Sequence, residues 1–159
     1  MIRSFGKKNG GGKRRGAAIV EFALALPVIL SILMGIIEMG FLVKNQLTLS
    51  NATRDAARYA ALGHTSSEVV TRLKNGAAQL TPKITDSQII LEQTSDTTSA
   101  NPAYFAWPAD IDTKNGVPTG SLIRVRVAYP HKALTGFFPF LNNRVINPAV
   151  TMLREASAK

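Results

Sequence analysis

The 159-residue sequence contains no cysteine, only two histidines and ten acidic residues. Without cysteine the chain can form no disulfide framework, thiolate nucleophile or cysteine-ligated zinc site. The two histidines, His64 and His131, lie far apart in the sequence. His64 follows a glycine that should end a helix, and His131 follows the end of a predicted strand, so we expect both at the surface.

Sequence patterns of catalysis are also missing. The chain has no Ser/His/Asp order, no glycine-rich phosphate loop and no pair of carboxylates placed for acid–base chemistry. Asp110 and Asp112 could bind Ca²⁺, but two acids in a loop fall far short of an EF-hand pattern. We therefore expect no enzymatic activity, no cofactor and no resident metal.

Basic residues outnumber acidic ones by 19 to 10, but they are unevenly placed. Six of them fall in the first 15 residues, which contain no acid, and the rest of the chain carries a net charge of only +3. A high isoelectric point often indicates a nucleic-acid partner. Here the charge is confined to one terminal segment, so we expect no nucleic-acid binding.

An apolar segment, residues 17–43, follows the basic residues directly. Its only charged residues are Glu21 and Glu38, which we place near its two ends in the membrane interfaces. About 20 apolar residues span a bilayer as a helix, so the segment predicts one transmembrane helix. Because Lys and Arg remain cytoplasmic, the N-terminus is predicted inside and residues after about 44 outside. A cleaved secretory signal is the alternative, but its apolar region is shorter.

Small residues recur at every fourth position of the apolar segment: Ala23, Pro27, Ser31 and Gly35. Such a stripe allows close helix packing in lipid, although small residues are also common in membrane helices in general. Pro27 should kink or loosen the helix. Glu21 has two interpretations, a solvated acid at a helix N-terminus or a costly charge retained for a function.

Residues 13–22, KRRGAAIVEF, resemble the processing site of type IV prepilins. In that class a basic leader ends in glycine, a prepilin peptidase cuts after it, and a glutamate occupies the fifth mature position. The resemblance places cleavage between Gly16 and Ala17 and makes Glu21 the fifth mature residue. The pair formed by Glu21 and Phe22 is similar to the Glu-Tyr pair of Flp pilins.

The wider pattern resembles the TadE-like family of minor pilins or pseudopilins from tight-adherence (Tad, type IVc) pilus systems. Three stretches carry it: RRGAAIVEFALALPVILSILMGIIEMG, NATRDAARYAALG and the terminal VTMLREA. The resemblance implies pilus assembly, adhesion and biofilm formation, with Gly16 and Ala17 in processing and Glu21 and Phe22 in assembly. Glu21 would pair with the new amine on Ala17 of an adjacent subunit.

The same resemblance implies the partners and the location. The partners are the prepilin peptidase, the major Flp pilin, a second TadE-like or TadF-like subunit, the inner-membrane assembly platform and membrane lipid. The location is the bacterial inner membrane, as a single-pass protein, with incorporation into the surface pilus. The alternative is an uncleaved single-pass envelope protein whose outer domain acts as a binding or assembly factor.

The remaining sequence predicts an α+β protein with a long N-terminal helix, a shorter second helix and a small antiparallel sheet. We divide it into a leader (1–16), a transmembrane helix (17–43), a helical stalk (44–63) and an extracytoplasmic domain (64–159). The stalk should bury one Ala-rich face and pair Asp55 with Arg58 on the other. Gly63 should end this helix.

In the outer domain, Thr65 and Glu68 indicate a capping box that begins the second helix, which should end at Pro82. Strands are predicted over residues 87–93, 123–129 and 146–152, with Pro148 indicating a sheet edge or a bulge. Residues 94–120 should form a long loop whose aromatic residues pack on the core or contact another subunit. The apolar residues 136–141 should lie under the sheet or against the membrane surface.

Overall fold

The computed structural model describes residues 11–110 and 115–155. The first ten residues of the predicted leader and Asp112 therefore lie outside the described residues. The described chain has the predicted α+β class, with one very long helix, one short helix and small antiparallel sheets.

The long helix, α1, runs without interruption over Gly11–Ala61. Its 51 residues correspond to about 77 Å at 1.5 Å per residue. It begins before residue 17, where the apolar sequence predicted its start, and it continues through Pro27. Gly63 follows it with φ of +98°, the left-handed conformation that stops a helix.

The second helix, α2, covers Ser66–Gly76 and begins with the predicted capping box. The backbone amide of Thr65 donates to the Glu68 carboxylate at 3.0 Å, and the amide of Glu68 donates to the Thr65 hydroxyl at 3.3 Å. The helix ends at Gly76 rather than at Pro82. A Cβ on Gly76 would lie 3.1 Å from the Ala52 side chain, so the glycine allows α2 to approach α1 closely.

A four-stranded antiparallel sheet supports the outer domain. Its strands are β1 (Ile89–Thr94), β2 (Phe105–Ala106), β3 (Leu122–Val127) and β6 (Ala149–Leu153), in the order β2-β1-β3-β6. Two further short strands, β4 (Tyr129–Pro130) and β5 (Val145–Ile146), pair with each other. The predicted strand at 87–93 is shifted because a 3-10 turn occupies Asp86–Gln88. The predicted strand at 146–152 is divided, because the chain leaves β5 at Ile146 and enters β6 only after Pro148. The strand after Pro148 forms a sheet edge, one of the two predicted alternatives.

The core lies between the C-terminal part of α1, α2 and one face of the sheet. On α1 the predicted face is confirmed, because Leu49, Ala52 and Ala56 are buried and Tyr59 packs against them. Every second residue of β3, namely Ile123, Val125 and Val127, is buried against this face. Burial of these apolar side chains between β3 and α1 therefore holds the sheet against the stalk part of α1, residues 44–61.

On the outside of the domain, one predicted contact is corrected and the aromatic residues of 94–120 divide between the two predicted alternatives. Asp55 is predicted to pair with Arg58 one turn away on α1. Its carboxylate instead accepts a 2.6 Å hydrogen bond from Arg72 of α2. In the segment 94–120, Trp107 packs against the core as predicted, and Tyr104 lies under the Arg124 guanidinium at 3.5 Å from its ring centre. Phe105, by contrast, is exposed.

Candidate assembly site on the N-terminal helix

The predicted cleavage position lies on an uncovered part of α1. Gly16 and Ala17 are exposed, and a Cβ built on Gly16 meets no atom within 4 Å. The peptide bond between them is helical. Within the described residues the outer domain leaves this position free of contacts.

Glu21 and Phe22 are also exposed on α1. Among residues 16–110 and 115–155 no side chain forms a hydrogen bond or ion pair with Glu21. A carboxylate in an apolar segment costs free energy unless it is paired or reaches water. Within residues 16–110 and 115–155 nothing therefore occupies this carboxylate, and it can accept a group from another molecule.

The four-residue stripe of small side chains is divided by the fold. Ala23 and Pro27 are exposed, and the Ser31 hydroxyl donates a 2.8 Å hydrogen bond to the carbonyl of Val28 within the helix. Gly35 lies against the protein's own Phe138, whose ring carbons are 3.4 Å from the position of an added Cβ. Ala23 has no neighbour from the outer domain, whereas Pro27 and Ser31 line a cleft together with Phe137.

Glu38 is the residue whose role the sequence reasoning missed. It was placed at an interface, but the structure buries it completely. Its carboxylate accepts hydrogen bonds from the amides of Leu134 (2.7 Å) and Thr135 (3.1 Å) and from the Thr135 hydroxyl (2.9 Å). An acid inside an apolar run was the only sequence signal for such a contact, and its partners lie almost 100 residues away.

His131 lies beside Glu38 and corrects a second prediction. It is only 1% exposed rather than at the surface, and its Nδ1 is 3.1 Å from Nδ2 of Asn45 on α1. If the Asn45 amide donates there, the imidazole proton is on Nε2, which lies 4.0 Å from the Glu38 carboxylate. These three residues join the membrane-proximal end of the outer domain to α1.

The opposite end of the outer domain is joined to α1 by Arg154 and Asn115. Arg154 is buried and donates to Asn115 Oδ1 at 3.2 Å and to the Ala61 carbonyl at 3.1 Å. Asn115 donates in turn to the carbonyls of Ala60 and His64, both at 3.0 Å. The terminal carbonyls of α1 carry partial negative charge, so the guanidinium stabilises the helix end.

The other predicted polar residues have local structural contacts. Asp110, considered for Ca²⁺, accepts hydrogen bonds from the amide and hydroxyl of Ser66 at the N-terminus of α2. His64 stacks on Tyr59 with the ring centres 3.5 Å apart. Among the described residues, no three His, Asp or Glu side chains come together as a metal site would require.

These features define a class of protein. One helix, Gly16–Ala61, is long and apolar enough to cross a membrane, and none of its most apolar 18-residue window is buried by the rest of the chain. The small α+β domain is packed on the other half of that helix. The described chain thus combines one candidate membrane-spanning helix with a small α+β domain, an arrangement that indicates a single-pass membrane anchor.

The family model for TadE-like proteins matches residues 16–58. The resemblance to the TadE-like family is thereby confirmed for the N-terminal helix, and this segment associates the protein with Tad pilus systems. No curated protein and no solved structure matches the chain. The family match ends on α1, before the Gly63 turn and the whole outer domain.

Proposed function

We propose that the chain is a minor pilin or pseudopilin of a Tad (type IVc) pilus, cleaved after Gly16 by a prepilin peptidase. The observation that carries this proposal is the exposed Glu21 carboxylate, which lies five residues after Gly16 and has no partner among residues 16–110 and 115–155. The TadE-like match over residues 16–58 includes both positions. The proposed orientation has the N-terminus in the cytoplasm and the α+β domain outside.

The proposed assembly step is an intersubunit ion pair. Cleavage would create a positive amine on Ala17, and a carboxylate of an adjacent subunit would compensate it at low dielectric. The apolar side chains around this position are open to a neighbouring helix, with Phe22 62% exposed. Ala23, Pro27 and Ser31 would allow that helix to approach closely.

The proposed partners are the peptidase, the major Flp pilin, a second TadE-like or TadF-like subunit and the inner-membrane assembly platform. Through these contacts the protein would contribute to pilus assembly and, as a consequence, to adhesion and biofilm formation. Its own role would be structural rather than catalytic, in line with the use of Glu38 and Arg154 to hold the outer domain to α1.

The proposal is tested by the fate of a Glu21→Ala variant produced with its pilus system. We expect the variant to be cleaved but to be absent from sheared pili, because its helix can no longer neutralise the neighbouring amine. Glu155→Ala is the matched control, since it removes an exposed carboxylate of the outer domain. Normal assembly of Glu21→Ala would contradict the amine-pairing step. A full-length wild-type protein confined to the membrane would support an uncleaved envelope protein instead.

A further inference from the structure

The segment between β4 and β5 contains a run of apolar residues beside α1. We define residues 133–141, ALTGFFPFL, as the aromatic loop; it contains no ionisable residue. We propose that the aromatic loop is embedded in the hydrocarbon of the bilayer, so that the protein contacts lipid through two elements rather than one. This inference requires the membrane anchor but is independent of leader cleavage.

The position of the loop along α1 is the first argument. Phe137 shares a cleft with Pro27, Leu30, Ser31 and Met34 of the apolar helix. Counted from Ala17, Pro27 and Met34 lie about 15 and 26 Å along the helix, within a hydrocarbon thickness of about 30 Å. If the loop were outside the bilayer, too little of α1 would remain to span it.

The exposure of the loop is the second argument. Phe137 is 58% exposed and Phe140 is 71% exposed, so the sequence expectation that this segment lies under the sheet is wrong for these two rings. Both are continuous with the exposed apolar surface of α1. Lys132 and Arg144 stand just outside the loop on either side, where cationic side chains can reach lipid head groups.

The hydrogen bonding of the loop is the third argument. In lipid, backbone groups outside a helix or a closed sheet need partners within the protein, and several amides of the loop have them. The Glu38 carboxylate accepts the amides of Leu134 and Thr135, and the Thr135 hydroxyl accepts the amide of Phe137. The amide of Leu141 donates to the carbonyl of Phe138.

The contact also explains how Glu38 is accommodated in an apolar segment. A carboxylate in hydrocarbon is costly unless donors surround it, and the loop supplies three donors between 2.7 and 3.1 Å. The acid and the loop therefore satisfy each other's hydrogen bonds. Glu38 makes α1 less apolar, but by accepting the loop amides it also makes the loop compatible with lipid.

Site-directed spin labelling tests the proposal on the full chain. Because the protein has no cysteine, the cysteine introduced by Phe140→Cys is the single labelling site and no native cysteine has to be replaced. The labelled protein is reconstituted into vesicles of phosphatidylethanolamine and phosphatidylglycerol. Collision with oxygen, which concentrates in hydrocarbon, is then compared with collision with a water-soluble nickel chelate.

Two further labelled positions serve as references. Leu24→Cys lies on the exposed apolar part of α1, and Leu153→Cys replaces a 52% exposed apolar residue at the far end of the sheet. We expect Phe140 to resemble Leu24, with an oxygen-to-nickel accessibility ratio several-fold above that of Leu153. If Leu24 reports hydrocarbon but Phe140 reports water, the loop proposal fails while the membrane anchor stands. Spin–spin broadening at Phe140 would also overturn it, because a second copy would then cover the loop.

Discussion

The Nη1 atom of Arg154 donates a hydrogen bond of 3.1 Å to the carbonyl oxygen of Ala61, the last residue of α1. Arg154 belongs to the terminal VTMLREA stretch, and Ala61 belongs to the NATRDAARYAALG stretch. Two sequence stretches that are 93 residues apart are thus parts of one buried contact. This contact connects the helix matched by the family model to the outer domain beyond the match.

Replacing Arg154 should therefore destabilise the outer domain. Arg154→Met removes the buried donor of Asn115 Oδ1 and one of the two donors of the Ala61 carbonyl, which still accepts the Glu155 amide. A buried group left unsatisfied costs about 1–3 kcal/mol. We expect the free energy of unfolding to fall by roughly 2 kcal/mol or more, measured by urea unfolding in detergent with Trp107 fluorescence. Arg144→Met, at an exposed position, should change it by less than about 0.5 kcal/mol. If Arg154→Met and Arg144→Met lowered the free energy of unfolding equally, the buried hydrogen bonds of Arg154 would not contribute to stability.

Gly63 is required by the same contact. A Cβ at this position would clash with the Arg154 guanidinium, and the positive φ adds backbone strain. Gly120→Ala is a matched control, since Gly120 also has a positive φ of 84° but no atom near its added Cβ. We expect Gly63→Ala to cost more than Gly120→Ala in the same unfolding assay, with a less than additive effect when combined with Arg154→Met. Similar costs for the two glycines would rule out the steric contribution.

The capping box predicts a pH dependence. The Thr65 amide, which donates to the Glu68 carboxylate, holds the pKa of this carboxyl below its ordinary value, and the Thr65 hydroxyl adds to the effect. A carboxyl with a lowered folded pKa contributes stability above its unfolded pKa and loses it as the pH falls through the folded value. Acidification below the ordinary glutamate range should therefore loosen the N-terminus of α2.

The variant Glu68→Gln separates this contribution from general acid unfolding. It should be less stable than wild type at neutral pH, and the difference should shrink as the pH is lowered. An NMR titration of Glu68 gives the folded pKa directly. The prediction fails if Glu68 titrates at the ordinary glutamate pKa and the stability difference between wild type and Glu68→Gln persists in acid. The charge of Glu68 would then contribute nothing to the cap.

Glu38→Ala should release the aromatic loop. Hydrogen bonds to charged acceptors contribute about 1.5–3 kcal/mol, so the amides of Leu134 and Thr135 should exchange with solvent deuterium at least about tenfold faster in detergent. Glu21→Ala is the control, since Glu21 has no contact with the loop among the described residues. Unchanged exchange in Glu38→Ala would show that the carboxylate does not hold the loop.

Those elements of the fold that depend on interactions between residues close in sequence could be predicted from the sequence. The capping box at Thr65, the alternation along β3 and the Ala-rich face of α1 all depend on residues within one turn or one strand, and all three are present. The predicted end of α2 at Pro82 is several residues too late. The chain beyond Gly76 is no longer helical, because it turns so that Leu80 is buried in the core.

The contacts that join the two ends of the outer domain to α1 could not be predicted in the same way. Glu38, His131 and Arg154 each depend on partners that the fold brings from a distant part of the chain. The local pattern therefore indicated that Glu38 lies at a membrane interface and His131 at the surface. Both are instead buried, and distant residues supply their contacts. The assembly residues Gly16 and Glu21 were identified by resemblance, and within the described chain they remain without contacts that would define their role.

The measurement that tests the account most directly is the intact mass of the protein produced together with its prepilin peptidase. Cleavage after Gly16 predicts a 143-residue mature chain that begins with Ala17. A variant with a bulky residue at Gly16 should retain the leader under the same conditions. A wild-type protein that keeps residues 1–16, or begins at any other residue, would contradict the proposed processing and with it the amine that Glu21 is expected to pair.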